Sequence, residues 1–132
     1  MADNNSCGCG GNTTLIFPCS GASNVGQLSN NLGVALSKKG IGKMSCLAGV
    51  GGDISGFVVS AKDCDFLVAI DGCGVKCAEA CFDRHEIKPH LHLILTDEGF
   101  KKVSGADPND EEISCAVKMA EDRISSLRPK CK

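Results

Sequence analysis

The sequence predicts an α/β domain built as a three-layer sandwich: a mostly parallel four-stranded sheet, Rossmann-like or flavodoxin-like, with helices on both faces. Two observations carry this expectation. Short apolar runs alternate along the chain with longer segments of helical spacing, and Phe66-Leu67-Val68-Ala69-Ile70 contains no polar residue, as a strand buried on both faces requires. Strands that alternate with helices join through right-handed crossovers, which lay each helix over the sheet. The 132 residues, 42% of them hydrophobic, suffice for one domain with its own core.

The elements follow in order. Residues 1–12 are polar and glycine-rich and read as a flexible tail, leaving 13–132 as the single domain. Thr13 to Pro18 reads as the first strand. After the turn at Cys19-Ser20-Gly21-Ala22-Ser23, residues Val25, Leu28, Leu32 and Leu36 keep helical spacing until Lys38-Lys39-Gly40 supplies a stop. Lys43 to Leu47 is a short second strand, Ala48-Gly49-Val50-Gly51-Gly52 a sharply bent loop, and Ile54 to Lys62 a brief helix. The third strand is Phe66 to Ile70, ended by Asp71-Gly72. A helix carrying Cys77 and Cys81 toward His85 then places Cys73, Cys77 and Cys81 on one face at four-residue intervals. Leu91 to Thr96 makes the fourth strand. Asp107-Pro108 opens a last helix with Ile113, Val117, Ala120, Ile124 and Leu127 on its core face, and Arg128-Pro129 ends it.

Composition narrows the function. Fourteen Lys and Arg against 16 Asp and Glu give a net charge of -2 with no basic patch, and Trp and Tyr are absent, so nucleic acid is not an expected partner. The amino terminus lacks the basic start and apolar core of a secretory signal, and no run is long enough to span a membrane; the expected location is cytoplasmic and the expected partner a metal ion. Ten cysteines in a reducing compartment point to metal or thiol chemistry rather than to a disulfide scaffold.

Ligands bind beyond the carboxyl ends of the strands in such a sheet. Cys19, Cys46 and Cys73 each fall at or just past the end of a predicted strand, and Cys77 follows within the next turn, so all four are expected at that edge. Asp71 and Lys76 are candidates to support the site, and Cys81 and the tail pair Cys7 and Cys9 are auxiliary thiols. Cys64 and Cys115 are expected to be buried small hydrophobes. His90 and His92 share a face at the start of the fourth strand, away from the cysteine edge. A phosphatase reading of the Cys19 turn fails because no arginine follows it, and the glycine turns lack the Lys-Ser or Lys-Thr pair of a nucleotide-binding loop.

Phe17-Pro18-Cys19-Ser20-Gly21-Ala22-Ser23 with Gly26-Gln27-Leu28, then Cys46-Leu47-Ala48-Gly49-Val50-Gly51-Gly52, then Ile70-Asp71-Gly72-Cys73 with Cys77-Ala78, resemble the DGC-domain family of zinc-binding proteins over about residues 14 to 102. The resemblance implies zinc held by four cysteines that correspond to Cys19, Cys46, Cys73 and Cys77. It implies no reaction. Four thiolates suit zinc, and the same set suits an iron–sulfur cluster. The functional expectation is zinc binding for metal handling or sensing. Its alternatives are thiol redox or sulfur transfer through Cys73 and Cys77, and a structural metal site in a partner-binding domain.

Overall fold

A computed structural model describes residues 13–129. The predicted tail, with Cys7 and Cys9, lies outside the described residues, as does Cys131. Four strands, β1 (Thr14–Pro18), β2 (Lys43–Met44), β3 (Phe66–Asp71) and β4 (Leu91–Ile94), form one sheet in the order β2-β1-β3-β4. Every pairing is parallel. Every residue of β1 and β3 is buried, because these two central strands have neighbours on both sides and helices on both faces.

One face carries α1 (Asn24–Lys38) and α5 (Asp110–Leu127), which close a core of Ile16, Leu28, Leu32, Leu36, Val68, Ile70, Leu93 and Ile124. The other face carries α2 (Leu47–Gly51), α3 (Ser55–Asp63) and α4 (Cys77–Asp83) over Leu15, Phe17, Val50, Leu67, Ala69 and Phe82. On that face Phe17 and Phe82 meet edge to face, ring centroids 5.2 Å apart. The architecture is the three-layer α/β fold read from the sequence.

Helix ends are set by local chemistry. Ser23 caps α1 by accepting the Gly26 N–H at 3.1 Å. Asn109 and Glu112 form a reciprocal capping box at α5, which moves its start past the predicted Asp107-Pro108. At the other end of α5, Arg128 donates to Thr14 Oγ1 at 3.1 Å and to the Ile41 carbonyl at 2.7 Å, fastening the last helix beside the start of β1.

Several local expectations are corrected. β2 stops at Met44, and the glycine-rich stretch after it is the helix α2; Gly49 has no side chain where the Phe57 ring packs, which lets α2 lie close to α3. β4 ends at Ile94, where a 3-10 turn over Leu95–Glu98 takes over. Cys73 is not in helical register with Cys77 and Cys81, because Lys76, with φ of 59°, breaks the backbone before α4 begins. Leu127 is 55% exposed and Cys115 is exposed, so neither joins the core. Among the described residues, no helix is long and apolar enough to cross a membrane.

Candidate functional site

The strand order reverses direction at β1: the chain passes from β1 outward to β2, then crosses back to β3 on the other side. A crevice opens at such a switch point, beyond the carboxyl ends of β1 and β3. Cys19 leaves β1 there, and Asp71, Gly72 and Cys73 leave β3 beside it.

The two exits are tied together. Cys19 donates its N–H to the Ile70 carbonyl at 2.8 Å, and Gly72 donates its N–H to the Cys19 sulfur at 3.2 Å. A Cβ on Gly72 would lie 2.5 Å from the Val25 carbonyl oxygen, so only glycine lets β3 pass this close to the start of α1. Burial pushes the Cys19 thiol above its ordinary range; hydrogen bonds from Ser29 and the Gly72 N–H oppose that shift, and the charges of Asp71 and Cys77 add to it.

Asp71 is the electrostatic keystone of the edge. It is 1% exposed, and its carboxylate accepts the Ala78 N–H at 2.7 Å and the Glu79 N–H at 3.2 Å, two donors that the first turn of α4 leaves without intrahelical partners. His92 Nε2 lies 2.7 Å from the same carboxylate, and its Nδ1 lies 3.6 Å from Glu79. The expectation that His92 stands away from the cysteine edge is therefore corrected. β4 has four residues, and His92 is opposite Ala69 with its ring turned toward Asp71. His90 behaves as expected: its Nδ1 accepts the Leu67 N–H at 2.9 Å and its ring stacks on Phe66.

The remaining thiols line up along this edge. Cys46 is exposed at the start of α2, and Cys77 is exposed at the start of α4. Both helices begin at the carboxyl edge and pack on the same face of the sheet. Lower down this pair, a Cβ on Gly51 of α2 would lie 3.0 Å from the Cys81 sulfur of α4. Cys81, as expected, packs against that core, and burial raises its thiol above the ordinary range, with the charge of Cys77 adding to the rise. Cys46 and Cys81 both line a cavity of about 960 Å³ beside β2, together with Met44, Phe57 and Pro18.

Cys73 is half-buried, and Lys102 donates to its sulfur at 3.4 Å. Lys76, one of the candidate supports read from the sequence, donates its backbone N–H to the Cys73 carbonyl at 3.1 Å. Nothing in the local sequence pairs Cys73 with a lysine 29 positions later. Cys19, Cys46, Cys73 and Cys77 thus stand beyond three strands adjacent in the sheet, and all are free thiols. Among the described residues, no three His, Cys, Asp or Glu side chains gather closely enough to hold a metal ion.

Comparison with known proteins gives the family. Anaerobic and virulence modulator AnvM of Pseudomonas aeruginosa is 45% identical over 93 residues, covering 70% of this chain and 71% of the relative. No solved structure matches the chain. The DGC domain matches residues 15–120, from the first strand into the last helix, and the chain belongs to the DGC domain family.

Proposed function

We propose that the carboxyl edge binds one zinc ion through Cys19, Cys46, Cys73 and Cys77, and that the bound ion serves metal handling or sensing. The supporting observation is the concentration of four free thiols beyond β2, β1 and β3, neighbours in the sheet whose ends are spaced by ~4.8 Å. The donor chemistry fits a soft ion: zinc favours sulfur ligands at ~2.3 Å. The thiols are not gathered around one point, so binding requires their side chains to turn inward. When bound, zinc would supply a redox-inert centre whose loss or exchange is the signal. The chain's own groups do the rest. Asp71 fixes the start of α4, and with it Cys77; Gly72 holds Cys19 against β3; Lys102 places a positive charge beside the thiols. A regulatory role accords with the relative named as a modulator.

The test is elemental analysis with an ultraviolet–visible spectrum on anaerobically purified protein and on Cys19→Ser, Cys46→Ser, Cys73→Ser and Cys77→Ser. The expected result is one colourless zinc per chain, lost in each variant. Brown protein containing iron and sulfide would replace zinc by a cluster, and absence of metal would overturn the reading. A dithiol reading through Cys73 and Cys77 is supported by one observation: both are free thiols within reach of solvent at the end of β3 and the start of α4. A metal-free protein that takes up and releases two electrons per chain reversibly would support it.

A further inference from the structure

Between the 3-10 turn and α5, residues 101–105 are fastened to the start of α1. Asn24, 7% exposed, is the clasp. Its side-chain amide donates to the Lys101 carbonyl at 2.7 Å, and its side-chain carbonyl accepts the Val103 N–H at 2.6 Å. Its backbone N–H donates to the Val103 carbonyl at 3.0 Å. Gly105 donates to the Ala22 carbonyl at 3.2 Å, and Ser23 and Ser104 form an antiparallel bridge. The bonds grip the backbone on each side of Lys102, whose Nζ reaches the Cys73 sulfur at 3.4 Å. A lysine side chain surrenders much rotamer freedom to hold one position. A strap that already fixes its backbone reduces what remains to be ordered.

We propose that Asn24 and Lys102 are positioning residues of the cysteine edge. Asn24 fixes the strap, and the strap presents Lys102, so that negatively charged thiol-directed species are drawn to Cys73 ahead of other accessible cysteines. This rests on the reading of the carboxyl edge as the reactive edge, and not on which ion binds there.

The experiment uses the full chain, reduced and held in a metal chelator, and follows Cys73 by site-resolved mass spectrometry. The exposed Cys115 on α5 is the internal reference. Two reagents are compared: the anionic aromatic disulfide dithiobis(nitrobenzoate), with which the Cys73 sulfur forms a mixed disulfide and expels one aromatic thiolate, and neutral iodoacetamide. Lys102→Met is expected to lower the Cys73-to-Cys115 rate ratio for the anionic reagent by about three- to tenfold, with the ratio for the neutral reagent unchanged and high salt erasing the difference. Lys102→Arg restores the ratio. Asn24→Ser, which removes the two side-chain bonds and leaves the backbone ones, reproduces part of the loss; should that variant fail to fold, the two Lys102 variants decide. An unchanged anionic ratio in Lys102→Met, or an equal change with both reagents, would overturn the proposal. Because no metal is present, a chain that binds no zinc can still pass, and a zinc-binding chain can still fail.

Discussion

The two ends of the sheet are finished in different ways. At the amino end polar groups satisfy one another: Thr13 donates its N–H to the Asp65 carboxylate at 2.6 Å, its carbonyl accepts the Asp65 and Phe66 N–H groups, and His90 accepts from Leu67. At the carboxyl end Asp71 satisfies the backbone equally well, yet Cys46 and Cys77 remain exposed and Cys73 half-exposed. The comparison teaches that the amino end is closed by its own side chains, whereas the carboxyl end is rigid underneath and chemically open above. Rigid support beneath accessible soft nucleophiles is the arrangement a ligand edge needs.

The largest expected break in this contrast is Asp71→Ala. It strips two backbone donors and His92 of a buried charged partner, and a loss of about 3–5 kcal/mol in urea unfolding is expected. Alkylation of Cys77 should accelerate as α4 loosens.

Gly72→Ala comes next. Its new methyl group would overlap the Val25 carbonyl and Gly26 nitrogen, and about 2–3 kcal/mol is expected to be lost. Gly74→Ala, two residues along the same turn, meets nothing within 4 Å and should stay within about 0.5 kcal/mol of the parent. Equal effects in the two variants would mean that the close approach of β3 to α1 is not maintained in solution.

The smallest effect sharpens the contrast through pH. Burial raises the thiols of Cys64, near the amino end, and Cys81, below the carboxyl edge, above the ordinary value of 9.0. The unfolded chain then loses these protons first. Their contribution is complete below about pH 9 and is lost as pH rises through the folded values. Unfolding midpoints measured from pH 8 to 10.5 should fall toward the alkaline end. Cys64→Ala should flatten the slope, whereas Cys115→Ala, at an exposed position, should leave it unchanged.

How much of this was legible in the sequence depended on the range of the interaction. The buried strands were readable because burial on both faces imposes an unbroken apolar run, and the ends of β1 and β3 located Cys19 and Cys73 beside one another. The helical register of Cys73 was misread because its failure lies in one left-handed residue, Lys76, a type that gives no warning of that conformation. Glycines at 49 and 51 suggested a loop, yet the first serves close packing of two helices. Asp71 before Gly72 read as a turn residue and a candidate to support the site, but its service to α4 and His92 depends on partners up to 21 positions away. Asn24 was invisible for the same reason: after a serine cap it reads as an ordinary helix start, and its two side-chain bonds span 77 and 79 positions.

The bond from Arg128 to Thr14 has a practical consequence. It brings the chain's point of entry into the domain and its point of exit to the same end of the molecule. A surface anchor attached at residue 13 or at residue 129 would therefore hold the domain by the same end, with the opposite end, and its cysteines, turned toward the solution.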